Sequence, residues 1–316
     1  MTVLAPEAPR SVVAQTLEEV AMGLPVRRHN LILVPLLRPW AGAPQYLTAR
    51  RALRAGLLEI TEVSDGGTVN AVRATNRADQ PVLVLDGEEL VGARQNRIAN
   101  VSVLIAARST VRLPVSCVEQ RRWAWRTRFF ADSRQTMPPC AHRQHIRAVH
   151  ETLRRSGSFQ GDQAAVWLAV DEQARRLRVR APTLALDEVY AGHEARLARY
   201  EDGVDAQRDQ IGALFAINGE FVSVQLFDAA TTFAELQLKL VRSHALEALQ
   251  REDESDALAE PGAAAADRFL AALSEAPVSR FAGVGLGENL RLESQAVTGS
   301  ALVVEDRLVH LVAYAG

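Results

Sequence analysis

The sequence predicts an α+β protein with largely antiparallel β-sheets, a helical middle segment and a C-terminal β-hairpin. Three observations carry this reading. Strand-like apolar runs gather before residue 120 without the regular helices that βαβ units require. Three stretches of helix periodicity then follow one another, at 143–155, 162–178 and 187–201. Beyond them, Asn218-Gly219 and Glu305-Asp306 each separate two apolar runs as hairpin turns. A chain of 316 residues accommodates one large α+β domain over 1–316, or two intimately packed halves, about 1–140 (β-rich) and 141–316 (helices plus β).

In chain order, 12–22 places apolar residues at helical spacing and Pro25 closes that segment. Leu31–Leu37 is an apolar run stopped by Pro39, and 47–57 is a short helix ending near Gly56. Ile60–Val63, Val69–Ala74 and Pro81–Leu85 follow as strands, with Asp86-Gly87 as a tight turn. Residues 86–97 form a polar loop, then Ile98–Ala106 and Thr110–Val118 are strands. After the helical middle, Ile211–Ile217 and Phe221–Leu226 flank Asn218-Gly219. A helix from Thr232 to about Arg251 takes Thr231 as its cap. The acidic, alanine-rich stretch 252–266 is a surface connection before another short helix. Leu290–Gln295, Ala301–Val304 and Leu308–Tyr314 are the closing strands.

No basic-then-apolar leader is visible, and no apolar run approaches bilayer length. Only Cys117 and Cys140 could form a disulfide, which points to a reducing compartment. Cytoplasmic localisation and no membrane partner are therefore expected. The net charge of -2 hides an asymmetry: 108–155 carries eleven arginines against Glu119, Asp132 and Glu151, a local +8. Such a segment attracts phosphates. Yet all the basic residues except Lys239 are arginine, a bias of the whole chain, and the protein overall is acidic. Nucleic acid is thus the weaker partner reading.

Chemistry concentrates in two stretches. In 86–97 (DGEELVGARQNR), Gly87 and Gly92 bracket a carboxylate pair that the loop would present to a cleft, and Gln95 and Arg97 share a face if they enter the next strand. Guanidinium for a charged oxygen, with Gln95 and Asn96 amides for hydroxyls or base edges, suits a phosphorylated, hydroxyl-rich ligand. The competing reading is a polar hairpin whose charges pair with one another. In 114–123 (PVSCVEQRRW), Glu119 facing Glu88 would form a carboxylate pair for general acid/base work or an oxygen-rich metal site. Cys117 is a possible nucleophile, with Arg121 and Arg122 supplying a positive field, against the commoner fate of a buried strand cysteine. Trp123 stacks on a base or caps the core. Cys140, His142 and His145 have zinc-like spacing without a second half, so no metal is assigned. Gly283, Gly285 and Gly287 lead into strand-like sequence, so the dinucleotide fingerprint fails; the cofactor is unknown.

Three segments, 86–98 (DGEELVGARQNRI), 114–123 and 226–249 (LFDAATTFAELQLKLVRSHALEAL), together with 166–186 and 307–314, resemble a mainly bacterial domain family of unknown function. That family is named for gene association with ADP-ribosylglycohydrolases and rhodanese-phosphatase superfamily proteins. The resemblance runs from about Asn30 to the C-terminus. It implies a setting in NAD metabolism or ADP-ribose removal, and proteins encoded nearby as partners. One departure is Arg121, where the family pattern has glycine before the Arg-Trp pair.

Two functions remain open on these grounds. In one, Arg97 and Arg122 hold phosphate, Gln95 and Asn96 read hydroxyls or base, and Glu88 with Glu119 act as catalytic carboxylates. An enzyme of that kind would be a hydrolase of a glycosidic or phosphate bond in a nucleotide-like, ADP-ribose-derived ligand. In the other, the same residues are a buried ion-pair network of a non-enzymatic scaffold or regulatory partner.

Overall fold

A computed structural model describes residues 11–39, 42–252 and 261–316. The N-terminal part contains helix α1 (Val12–Glu18), strands β1 (Ala21–Met22), β2 (Val26–Arg28), β3 (Leu31–Leu37) and β4 (Leu47–Thr48), then helix α2 (Ala49–Arg54). Strands β5 (Leu58–Glu62), β6 (Ala71–Asn76), β7 (Val82–Val84), β8 (Glu88–Gly92), β9 (Arg97–Ala99), β10 (Val103–Ile105), β11 (Thr110–Cys117) and β12 (Phe130–Thr136) follow. The helical middle is α3 (Pro139–Ser156), α4 (Gln163–Arg176), α5 (Leu186–Ala191) and α6 (Glu194–Glu201). Strands β13 (Gln210–Ile217) and β14 (Glu220–Phe227) lead to α7 (Ala230–Gln250) and α8 (Ala263–Ser274). The chain closes with β15 (Val278–Ala282), β16 (Glu288–Glu293), β17 (Val297–Val304) and β18 (Arg307–Ala315).

The fold is α+β. One sheet runs β1-β3-β13-β14-β18-β17-β16-β15, with β2 also on β3; a second runs β12-β8-β9-β11-β6-β5; a short third is β10-β7-β4. Among the described strands every pairing is antiparallel except β4 with β7. Short turns enforce this. Asn218 and Gly219 take positive φ of 52° and 81°, and Glu305 and Asp306 take 51° and 57°, the backbone that joins neighbouring strands in two residues. Helix α7 is buried nearly all round, with polar Gln237, Lys239, Arg242, His244 and Glu247 buried beside its apolar residues, and it rests on β13 of the large sheet and β12 of the second. Its Leu236, Leu240 and Val241 share one core with Leu83 and Ile98 from the N-terminal half and with Phe215 from β13.

Several expected elements change. The predicted helix over 12–22 stops at Glu18, and the strand predicted over Ile98–Ala106 divides into β9 and β10, which belong to different sheets. The helix predicted over 187–201 breaks at Gly192-His193 into α5 and α6. Helix α7 starts earlier than predicted, with Ala229 rather than Thr231 at its cap and no side-chain capping bond. Most of the predicted 252–266 connection, residues 253–260, lies outside the described residues. Strands β12 and β15 were not foreseen: β12 is mostly polar in sequence, and β15 is a short strand with no buried residue. The largest difference bears on function. The polar stretch 86–97 is not one loop, because Glu88–Gly92 is a buried strand paired with β9 and β12. Among the described residues, no helix is long and apolar enough to cross a membrane.

Candidate functional site

Strands β8, β9 and β11 lie side by side, so Leu90 pairs with Arg97 and Arg97 with Cys117. That register brings the two polar segments of the sequence together. Gly92, at φ 124°, makes the turn out of β8; a Cβ there would meet Thr127 Oγ1 at 2.5 Å and Phe129 O at 2.8 Å, so the chain after β11 closes directly on it. Asn96 Oδ1 fastens the turn by accepting from Gly92 N at 3.1 Å.

Arg122 is the staple of this assembly. Its Nε donates to Glu119 Oε1 at 2.6 Å and its Nη2 to Oε2 at 2.5 Å, a two-pronged pair, while Nη1 donates to Ala93 O at 2.7 Å. Glu119 is fully buried and also accepts from Asn96 N at 2.9 Å. Burial works against its charge, but Arg122 and the Asn96 N–H outweigh that and hold its pKa below the ordinary value. Gln95 Nε2 donates to Glu119 O at 2.8 Å, and Arg97 Nη1 donates to Gln95 Oε1 at 2.9 Å. Five of the expected residues, Gln95, Asn96, Arg97, Glu119 and Arg122, thus form one connected network.

Above the network is an open cleft of ≈ 700 Å³. Arg73, Arg94, Arg126 and Arg128 line it together with Glu62, Asp65 and Trp125. The Arg94 guanidinium lies 4.7 Å from the Trp125 ring centre and 5.7 Å from that of Trp123; Arg97 is also 5.7 Å from Trp123, and its Nη2 is 3.9 Å from Glu62. Trp123 and Trp125 remain 45% and 48% exposed, so neither caps the core.

Glu88 and Cys117 are placed differently. Glu88 is buried on β8, where its Oε1 accepts from Lys239 Nζ at 2.6 Å, and Lys239 also donates to Asp132 at 2.5 Å. Glu88 and Glu119 therefore serve separate networks. Cys117 is fully buried, its Sγ 3.1 Å from Glu119 O; burial pushes the thiol pKa up although Arg97 is near. Cys140 is exposed, while His142 and His145 turn inward to different partners, Asp86 and Asn100.

A sequence match to the ARG and Rhodanese-Phosphatase-superfamily-associated Protein domain (ARPP-1) covers residues 19–314. The chain belongs to this family. No curated protein and no solved structure matches it. In this ARPP-1 domain Arg121 is exposed and its backbone keeps a negative φ, so the turn does not demand glycine; its N–H donates to Thr183 O at 2.9 Å.

Sequence reasoning passed over two carboxyl groups of the ARPP-1 domain that the fold perturbs. Glu89 is fully buried, accepts from Gln135 Nε2 at 2.9 Å, and is pushed up to about 8 by burial and then by the charge of Asp187. Asp187, at the start of α5, is raised by burial and stands 3.6 Å from the cleft residue Arg126. A carboxyl group that titrates near neutrality can hold or release a proton. The Glu88-Glu89 pair was the available signal, but strand alternation decided which member took which role.

Proposed function

We propose that this protein binds a phosphorylated, hydroxyl-rich nucleotide of the ADP-ribose class in the cleft above Arg97 and Glu119. The observation that carries the reading is the exposed pair Trp123 and Trp125 around the Arg94 guanidinium. Tryptophan in water leaves a large apolar face uncovered, and a stacked base covers it at about 1–3 kcal/mol. Arg94, Arg126 and Arg128 supply charge for a pyrophosphate. Glu62 and Asp65 accept from ribose hydroxyls. The association recorded in the family name favours ADP-ribose over other nucleotides.

In this reading Gln95, Asn96, Arg97, Glu119 and Arg122 are positioning residues that hold the 121–129 loop against β8. Proton transfer at the cleft falls to Asp187, which stands beside the cleft residue Arg126, since Glu88 and Glu119 are held by cations and Glu89 is fully buried. One observation favours a second reading, a scaffold for associated proteins: both of those motif carboxylates are consumed in ion pairs.

A thermal-shift series with ADP-ribose, NAD, AMP and ribose 5-phosphate separates the two. Ligand at a hundredfold its Kd stabilises by about 2.7 kcal/mol. The expected result is a shift with ADP-ribose, smaller with ribose 5-phosphate, and lost in Arg94→Ala. No shift with any of them rejects the nucleotide reading.

A further inference from the structure

A second polar assembly brings together groups from three regions. Strands β16, β17 and β18 supply Arg291, Ser300 and Tyr314; α3 supplies His142 and His145; the chain around β7–β10 supplies Asp86 and Asn100. Asp86 is the hub. Its Oδ1 is 2.9 Å from His142 Nε2, its Oδ2 accepts from Ser300 Oγ at 2.8 Å, and its N–H donates to Ser102 Oγ at 3.0 Å. His142 Nδ1 is in turn 2.7 Å from the Tyr314 hydroxyl. Both carboxylate oxygens of Asp86 are therefore engaged. Burial opposes its ionisation, but His142 and Arg291 hold its pKa below the ordinary value.

Arg291 is not served in the same way. It is fully buried, yet Nε, Nη1 and Nη2 all lack a hydrogen-bond partner, and its nearest carboxylate oxygen, Asp86 Oδ2, is 3.9 Å away. Asn289 lies two residues earlier on the same strand and so faces the same way. It is 1% exposed, with both amide atoms unpartnered. A buried guanidinium without hydrogen bonds is among the costlier groups a fold can hold. Burial draws the Arg291 pKa down, and Asp86 only partly restores it. The Phe159 ring, 5.8 Å from the guanidinium, offers a face but no acceptor. What this arrangement matches is a pair of oxygens on a small anion, which a guanidinium binds through two parallel N–H donors.

We propose that Arg291 and Asn289 form an enclosed site for a small oxyanion beside the Asp86–His142 pair, closed by the 157–162 segment between α3 and α4. That segment lies on the assembly. Phe159 covers Arg291, Phe159 O accepts from Asn100 Nδ2 at 2.9 Å, and a Cβ on Gly161 would fall 2.3 Å from His145 Cε1. Entry is by displacement of Phe159. The site shares no residue with the cleft, so it stands or falls independently of the nucleotide reading.

The test is calorimetric titration of the full chain with inorganic phosphate, sulfate and acetate, the last distinguishing a carboxylate from a tetrahedral oxyanion. Saturable binding of one of them is expected, unchanged in Trp125→Ala and weakened about tenfold or more in Arg291→Lys and Asn289→Ala. Phe159→Ala should speed association. Absence of binding by all three overturns the proposal, as does equal affinity in wild type and Asn289→Ala, a variant that keeps every charge if Arg291→Lys does not fold.

Discussion

The loop over 121–129 leaves Trp123, Trp125 and Phe129 in water beside four arginines, whereas the polar groups around Asp86 and Arg291 are sealed from it. Both regions draw on the short segment from Asp86 to Arg97. Asp86 enters the sealed assembly, Glu88 is tied to Lys239, and Gln95, Asn96 and Arg97 brace the cleft floor. The difference teaches that one motif can be mostly structural while placing an exposed surface of another kind. In the closed region a charge is stabilised by fixed partners and its loss is felt as instability. In the open region water already solvates the charges, so a loss is felt when a ligand binds.

Breaking the closed side should have the largest effect. Lys239→Met leaves Glu88 and Asp132 as neighbouring carboxylates without their shared cation. The expected loss is about 3–5 kcal/mol, read from the urea midpoint. Adding Glu88→Gln should recover part of it; a Lys239→Met protein as stable as wild type would show that the ion pairs contribute nothing.

Acidity sharpens the comparison with opposite signs. Burial lowers His145 to about 4 and His310 to about 3, so the unfolded chain binds more protons between those values and about 6.5. Stability therefore falls as pH drops below about 6.5. Glu89 is raised to about 8, so its carboxyl stays protonated in the fold after the unfolded group has ionised. Its contribution is fully present at pH below the unfolded carboxyl value and is lost as pH rises toward 8. Each group contributes a slope of about 1.4 kcal/mol per pH unit inside its window. In urea titrations from pH 4 to 9, His310→Gln should flatten the acid limb and Glu89→Gln the alkaline limb. Parallel profiles for wild type and Glu89→Gln would contradict the placement of a neutral Glu89.

Much of this architecture was legible locally. Leu31–Leu37 and the Asn218-Gly219 hairpin appear where their apolar runs and turn residues put them. The cleft network was legible too, because Gln95–Arg97 and Glu119–Arg122 flank antiparallel neighbours and meet through strand register. Glu88 was misread as a loop residue because Gly87 and Gly92 look like loop punctuation, while each in fact makes a tight approach at one end of a strand. The ion pair of Glu88 with Lys239 and the bond of Asp86 to Ser300 join residues 151 and 214 positions apart. No periodicity encodes such pairings; they follow from how α7 and the C-terminal strands pack. Trp125 was overlooked for a different reason, since a tryptophan beside arginines reads equally as core or surface until its burial is known.

The bracing role of Arg122 predicts a middle-sized effect. Arg122→Lys keeps the charge but not the fork on Glu119, and should lower stability by about 1–3 kcal/mol. It should also weaken ligand binding by loosening the loop. Lysine restoring full stability would show that the paired geometry is immaterial. The smallest effect on the fold is expected for Trp125→Ala, within about 0.5 kcal/mol in the same urea measurement, because the ring is half in solvent. A larger loss would mean that Trp125 serves the core rather than the cleft.

The most direct measurement is calorimetric titration of ADP-ribose into wild type and Trp125→Ala side by side. Saturable binding to the wild type, weakened about tenfold or more in a variant of unchanged stability, is the predicted result. No heat of binding in the wild type, or equal affinity in both proteins, would contradict the assignment of the cleft as the nucleotide site.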